Sequence, residues 1–145
     1  MKIRENNREV NRFLRTAEMY DEAVAGLLNL APAKGVARFA TVAMYLTGYI
    51  VECSLKAWVL SETPNSRQSR LMSDFKGKKG HDLVWLRDEL AKRGVRIPRT
   101  LAESIRRVST RWSTDLRYDP ASRSVELAHF LARSAKDVLN ELRSH

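Results

Sequence analysis

The chain has 145 residues, of which 43% are hydrophobic and 30% charged, so it has the length of one domain, residues 1–145, and is too apolar for a disordered chain. It carries 26 Lys and Arg against 17 Asp and Glu, a formal charge of +9, which is typical of proteins that bind nucleic acid or an acidic protein. One Cys and three scattered His exclude a clustered metal site, and we expect neither metal nor cofactor.

The first predicted helix runs from Glu5 to Leu30, where apolar residues recur at steps of three and four. The Ala31-Pro32 step is predicted to end it. The residues before it are too polar for a signal peptide, and the single Cys53 excludes an internal disulfide. Both features predict a cytoplasmic protein, with Cys53 as a small core residue.

The second predicted helix, Gly35 to Leu60, is apolar at nearly every position and is expected to be central and covered on most sides. Its polar residues share one stripe, with two tyrosines between them: Arg38, Thr41, Tyr45, Tyr49, Glu52 and Lys56. Arg38 and Glu52 enclose 13 uncharged residues, fewer than the roughly 20 of a membrane span, so no membrane partner is expected. The stripe is either a surface that meets water or a groove that contacts a base or phosphate.

Residues 61–80 show no periodicity and contain a basic run of lysines, so they are predicted to form a long loop. This loop would be either a mobile solubilising segment or an arm that contacts phosphate. A third helix is predicted from Asp82 to Arg93, with Asp82 as its N-cap and Gly94 after its end.

A fourth helix is predicted behind a capping box formed by Thr100 and Glu103. Its buried row is Leu101, Ile105, Val108 and Trp112. After a break at Asp115 to Pro120, the last helix is expected from Ser124 to Arg143. The fold class is therefore all-α, an antiparallel bundle of about five helices.

Two short segments between these helices place charged and aromatic residues together. His81 and Asp82 stand at a helix N-terminus, where the partial positive charge favours anions. Alternatively, Asp82 only caps the helix and His81 braces the turn before it. Arg117 and Tyr118 stand just before the last helix, where they either serve a site or fix the loop and plug the end of the bundle.

Three segments in this order, GYIVECSLKAWVL, GHDLVWLRDEL and DLRYDP, resemble the HEPN domain over about residues 35–142. The resemblance implies a helical bundle, usually a homodimer, that acts on or near RNA or nucleotides. It also implies a toxin–antitoxin or antiphage defence system with a nucleotidyltransferase or antitoxin partner. The residues it implies are Glu52, Lys56, His81, Asp82, Arg117 and Tyr118.

The ribonuclease branch of that family uses an Arg followed, after four to six residues, by a His. Here Arg111 is followed after five residues by Arg117, which cannot act as a base near neutral pH. Arg123 and His129 match the spacing, but on one helix their side chains would point roughly 120° apart unless Arg123 precedes the helix. His129 is otherwise a packed or surface histidine.

The leading prediction is a protein that binds RNA or nucleotide phosphate without cutting it. Phosphate would be contacted by Arg38, Lys56 and Arg117, and bases would stack on Tyr45, Tyr49 and Tyr118, while Glu52 orients Lys56. His81, Lys56 and Arg117 should then meet in space. The alternatives are a metal-independent endoribonuclease built on Arg123 and His129, and a helical module that docks an acidic protein.

Overall fold

The computed structural model describes residues 7–34, 37–112 and 125–144, and only the backbone at 31–34 and 37–38. These residues form six α-helices and one 3₁₀ turn, without a strand among them. In order they are α1 (Arg8–Lys34), α2 (Ala37–Ser61), α3 (Asn65–Lys76), the 3₁₀ turn (Lys78–His81), α4 (Leu83–Lys92), α5 (Arg99–Arg111) and α6 (Val125–Ser144). The all-α prediction is confirmed, with one helix more in this part of the chain than the five expected.

Helix α2 is the centre of the structure. All five other helices contact it, and every residue from 50 to 60 is buried. Helix α1 packs along it, and because only two residues separate them, the two helices run in opposite directions. Inside this core Thr47 and Ser54 donate their hydroxyls to the carbonyl oxygens of Ala43 and Ile50, at 2.7 and 2.6 Å. These bonds allow two polar side chains to be buried without loss of hydrogen bonding.

The predicted end of the first helix at Pro32 is wrong, because α1 continues to Lys34. Proline lacks the N–H that would bond to the carbonyl four residues earlier, and it disturbs the helix there. Pro32 lies within the last turn of a 27-residue helix, however, and one missing bond at that end does not remove the packing of α1 on α2.

The prediction of a long loop over residues 61–80 is also wrong. Helix α3 takes up 12 of these residues and the 3₁₀ turn three more, with His81 as its fourth residue. Leu71 and Phe75, one helical turn apart, are the buried residues of α3. Two apolar positions make a stripe too narrow for periodicity to reveal, yet they anchor the helix in the core. The basic residues of this segment therefore project from α3 and from the 3₁₀ turn and not from a long loop.

The predicted boundaries of α4 are confirmed. The Asp82 carboxylate accepts hydrogen bonds from the N–H groups of Val84 and Trp85, at 3.0 and 3.1 Å, as an N-cap does. At the other end Gly94 has a φ of +77°, and the N–H of Val95 bonds back to the carbonyl of Leu90. This is a Schellman ending, which requires the left-handed conformation that glycine adopts without strain.

The capping box predicted at Thr100 is wrong. Helix α5 begins at Arg99 with Pro98 in the cap position, so Thr100 already lies inside the first turn. Proline is favourable at a helix start because its φ is fixed near the helical value. The Glu103 side chain instead pairs with Arg99, with Glu103 Oε1 3.5 Å from Arg99 Nε. The predicted buried row is confirmed: Leu101, Ile105, Val108 and Trp112.

The last helix, α6, packs on α5, α2 and α1. Its core side consists of Leu127, which is partly buried, and of the buried residues Ala128, Leu131, Ala135, Val138, Leu139 and Leu142. The predicted break at Asp115 to Pro120 lies outside the described residues.

Candidate functional site

Glu52 and Lys56 form an ion pair inside the protein. They lie four residues apart on α2, and Lys56 Nζ donates to Glu52 Oε2 at 3.0 Å. Their side chains are only 5% and 7% exposed. The interpretation of this stripe as a surface that meets water is therefore wrong at these two residues. Each buried charge costs several kcal/mol of desolvation, so each depends on the other.

The Lys56 ammonium also faces two aromatic rings. Its Nζ lies 5.7 Å from the ring centre of Phe13 on α1 and 5.4 Å from that of Phe75 on α3. Both distances are within the roughly 6 Å over which a ring face attracts a cation. Direct contact between Lys56 and a phosphate stays a prediction, and it would require these rings to move aside.

His81 completes the cluster from the 3₁₀ turn. Its Nδ1 lies 2.8 Å from Glu52 Oε1, while its side chain remains 47% exposed. Glu52 thus uses one carboxylate oxygen for Lys56 and the other for His81. The three residues form a chain of contacts that leads from the buried ammonium to the protein surface.

A close backbone approach at Gly80 puts His81 in this position. A Cβ atom on Gly80 would lie 1.8 Å from the carbonyl oxygen of Phe75, so no larger residue fits there without movement of the backbone. The N–H of Gly80 bonds to the carbonyl of Gly77 at 3.1 Å. The 3₁₀ turn therefore folds tightly against the end of α3 and directs His81 towards α2.

The contact with Glu52 selects the proton position on the imidazole ring. A carboxylate oxygen can only accept, so Nδ1 carries the proton and donates it to Glu52. In the neutral ring Nε2 is then the atom with a free lone pair. Among the described residues, His81 Nε2 has no hydrogen-bond partner.

An aromatic cluster lies beside the ion pair on the same helix. The hydroxyls of Tyr45 and Tyr49 are 2.9 Å apart, and the Tyr49 ring stacks on Tyr20 with centres 5.6 Å apart. Trp112 meets Tyr49 edge to face and donates its indole N–H to the carbonyl of Tyr45 at 2.8 Å. Base stacking on Tyr45 and Tyr49 stays a prediction.

Burial favours the neutral forms of the tyrosine hydroxyls and of the Cys53 thiol around this cluster. It raises the pKa of Tyr49 well above 10, with the hydrogen bond between the Tyr45 and Tyr49 hydroxyls as a further cause. It also raises the pKa of Tyr20. Burial raises the pKa of the Cys53 thiol to about 12, with the nearby Glu52 charge acting in the same direction. Cys53 is buried in the core, as predicted.

His81 lines an open cleft of about 450 Å³. The cleft is lined by the 3₁₀ turn, the start of α4 and the end of α5, through Lys78, His81, Asp82, Leu83, Val84, Ser109, Thr110 and Trp112. Its volume falls within the roughly 300–1,000 Å³ of small-molecule sites. The exposed ammonium of Lys78 makes the cleft suitable for an anion. The carboxylate of Asp82, the acidic residue of the lining, is hydrogen-bonded to N–H groups at the N-terminus of α4.

A larger cavity of about 1060 Å³ lies at the start of α1, lined by Asn7 to Val10 and Ser61 to Asn65, with Gln68. It contains neither the buried ion pair nor a histidine. The cleft beside His81 is therefore the better candidate, although it is smaller.

The structure brings together Glu52, Lys56 and His81 and places Tyr45 and Tyr49 next to them on α2. Asp82 is the next residue after His81, and its carboxylate caps α4. His129 is half-buried in the first part of α6. The predicted residues Arg117, Tyr118 and Arg123 lie outside the described residues, as does the side chain of Arg38.

Four residues of the cluster were not singled out as site residues by the sequence: Phe13, Tyr20, Phe75 and Trp112. Trp112 and Phe13 were recognised only as apolar positions, and Phe75 was assigned to the loop. The i, i+4 spacing of Leu71 and Phe75 was the signal that could have located α3.

Within the described residues, none of the helices combines the length and the apolar character needed to cross a membrane. The same residues include no group of three or more His, Cys, Asp or Glu side chains able to hold a metal ion. No protein-family model, curated protein or solved structure matches the chain.

Proposed function

We propose that the chain is a HEPN-type antiparallel helical bundle that binds RNA or nucleotide in the cleft beside His81. In this proposal it is a cytoplasmic homodimer and one component of a prokaryotic toxin–antitoxin or antiphage defence system, with a nucleotidyltransferase or antitoxin as partner. One observation carries the proposal: the buried Glu52 carboxylate accepts hydrogen bonds from both Lys56 and His81.

This observation supports the resemblance because sequence likeness alone says nothing about packing. Glu52 and His81 are 29 residues apart and come from two of the three resembling segments. Residues that match a family only by chance have no reason to meet in the folded chain. Their contact at 2.8 Å is the arrangement expected if the segments belong to one site.

The charge of the cleft supports an anionic ligand. Lys78 lines it, and the neighbouring Lys76 and Lys79 are also exposed. Phosphates attract such side chains, and the release of counterions makes the binding favourable at low salt. Arg38 and Arg117 would add contacts to phosphate, and Tyr118 would stack on a base, in the roles that the sequence predicts for them.

Binding can be tested with a short fluorescent single-stranded RNA whose riboses are 2′-O-methylated, so that it cannot be cleaved through its 2′-hydroxyls. Anisotropy titrations from about 50 mM to about 200 mM salt give the salt slope of the affinity. Lys78→Ala should reduce that slope by about 0.7, the value for one phosphate contact on a single strand.

Lys92→Ala is the matched control, since it removes the same charge at the other end of α4, about 14 Å from the cleft along the helix axis. It should leave the slope unchanged. Equal losses in both variants would indicate binding spread over the basic surface. Absence of binding at low salt would overturn the proposal and leave the module that docks an acidic protein.

A further inference from the structure

We propose that His81 Nε2 is a phosphoryl acceptor, a modification site that takes its phosphoryl group from an acyl phosphate. The modification is a covalent group on the protein itself and requires no nucleic acid. It therefore goes beyond the proposed function and does not depend on it. Three features of the structure carry it: the orientation of the imidazole ring, the charges around the ring and its access to the cleft.

The imidazole ring is held in one orientation. Glu52 Oε1 lies 2.8 Å from His81 Nδ1, and Lys56 Nζ holds the other carboxylate oxygen at 3.0 Å. The carboxylate is thus fixed from both sides and keeps the proton of the neutral ring on Nδ1. The lone pair of Nε2 is then the nucleophile, and its partner atom Nδ1 is already hydrogen-bonded for the charge that an attack creates.

The charges around the ring suit a phosphoryl group. Transfer to Nε2 makes the ring a cation that carries a dianionic group, so the ring needs a negative neighbour on one side and the phosphoryl group a positive one on the other. Glu52 supplies the negative charge at Nδ1, and Lys78 brings an ammonium into the same cleft. With Lys56 behind Glu52, the charges alternate in sign from the core to the surface. Neighbouring opposite charges favour the charged form of each group.

The acidic residue next to His81 has positive partners of its own. The Asp82 carboxylate accepts from the N–H groups of Val84 and Trp85, at 3.0 and 3.1 Å. These groups are at the positive end of the α4 dipole. The negative charge of Asp82 is therefore partly balanced away from the phosphoryl group.

The ring is open to a donor, whereas its partners are not. The Glu52 and Lys56 side chains are 5% and 7% exposed, but the His81 side chain is 47% exposed and lines the cleft of about 450 Å³. A histidine that served only to satisfy Glu52 could be covered like Lys56. Here the ring instead connects the buried charges to a surface that an acyl phosphate can reach.

The step is a phosphoryl transfer without a proton transfer. Nε2 attacks the phosphorus of the acyl phosphate and forms the bond between nitrogen and phosphorus. The bond from phosphorus to the acyl oxygen breaks, and its electron pair stays on that oxygen. The leaving group is a carboxylate, which is stable without a proton at neutral pH. Nδ1 keeps its proton, and Glu52 stabilises the positive charge of the ring.

The test incubates the full chain with radiolabelled acetyl phosphate. His81→Asn can still donate an amide N–H to Glu52 but has no nucleophilic nitrogen, and His129→Asn is the matched control. We expect one phosphoryl group per chain in the wild type and in His129→Asn, on the peptide that contains His81, and none in His81→Asn. The label should be lost in acid and kept in alkali, as expected for phosphohistidine, and phosphorus NMR should assign it to Nε2.

Glu52 acts through His81 and is therefore a positioning residue. The double variant Glu52→Gln with Lys56→Met keeps an oxygen that can accept from Nδ1 but removes both buried charges. It should lower the maximal rate of labelling by about tenfold, the difference between a charged and a neutral hydrogen-bond acceptor, and leave the half-saturating concentration of acetyl phosphate unchanged. A change in that concentration as well would indicate a merely structural role. Circular dichroism of the double variant checks that it is folded.

Lys78 is expected to bind the donor. Lys78→Ala should therefore raise the half-saturating concentration of acetyl phosphate several-fold, since it removes the ammonium that attracts the phosphoryl oxygens. Lys92→Ala, at the other end of α4, is the control and should leave the labelling unchanged.

Absence of label in the wild type at saturating acetyl phosphate would overturn this inference and leave the proposed binding of RNA untouched. Label that persists in His81→Asn, or that maps to another residue, would overturn it as well. Equally fast labelling of His81 in the urea-unfolded chain would show the reaction of any exposed imidazole. That result would contradict a site built by Glu52 and Lys78.

Discussion

Removal of the Glu52 charge should destabilise the protein strongly, because it leaves Lys56 buried without a counter-ion. The variant is Glu52→Gln, which keeps nearly the same shape. At 3.0 Å the pair has a Coulomb energy of about 5 kcal/mol for an effective dielectric constant of about 20. Breaking a buried pair by removing one partner typically costs about 3–5 kcal/mol, and the 7% exposure of Lys56 puts this pair in that class.

Removing both charges should restore most of the loss. In the double variant with Lys56→Met, the methionine side chain fills the space between Phe13 and Phe75, where sulfur packs favourably against aromatic rings. Replacing a buried ion pair by apolar residues is often neutral or stabilising. We expect the double variant to lie within about 1 kcal/mol of the wild type, a coupling of at least about 2 kcal/mol.

Urea denaturation followed by circular dichroism measures these free energies, provided that the slopes with urea agree among the variants. The single variant should also melt about 10–15 °C below the wild type. Arg12→Gln is the control, since the Arg12–Glu9 pair on α1 is exposed and should matter by less than about 0.5 kcal/mol. If the single and double variants lose the same free energy, the pair is not buried and the reasoning is refuted.

Three further predictions concern two glycines, the anchor of α3 and the Cys53 thiol. Gly48→Ala places a methyl group 2.0 Å from the Trp112 ring and should cost about 1–3 kcal/mol of stability. Gly26→Ala, which has open space around it, should instead stabilise the protein by about 0.5–1 kcal/mol. Urea denaturation of both glycine variants measures the two effects. Phe75→Ala should cost about 3–5 kcal/mol, and a cost near zero would show that α3 is not anchored. Burial raises the pKa of the Cys53 thiol to about 12, so the free energy of unfolding should fall from about pH 9, where the unfolded thiol ionises, to about pH 12; this slope, up to about 1.4 kcal/mol per pH unit, should be smaller in Cys53→Ala.

The helices that the sequence predicts well are those with long apolar patterns or strong caps. The central helix and α5 have four or more apolar positions in register, and α4 is bounded by Asp82 and Gly94. Helix α3 was missed because its burial depends on two residues, Leu71 and Phe75, and the Phe75 ring meets side chains of α1, α2 and α4. The continuation of α1 past Pro32 also depends on tertiary packing, which a local rule about proline does not include.

Much of the candidate site could be predicted because its polar residues stand out on an apolar helix. Helical periodicity predicts Glu52 and Lys56 on one stripe of the central helix, and the resemblance adds His81. What the sequence could not give is their burial. A stripe of charges on a helix looks the same whether it faces water or a neighbouring helix. The difference depends on Phe13 and Phe75, which cover Lys56 from two other elements.

The buried pair raises the question of what it does for the protein, since two apolar residues could stabilise the same space at least as well. If the double variant proves as stable as the wild type, folding does not require the charges. His81 then supplies the reason for them. The Lys56 ammonium at 3.0 Å holds one oxygen of the Glu52 carboxylate, and the other oxygen lies 2.8 Å from Nδ1 of the exposed imidazole. Lys56 would thus act at the surface through Glu52 and His81, in addition to the phosphate contact that the sequence predicts for it.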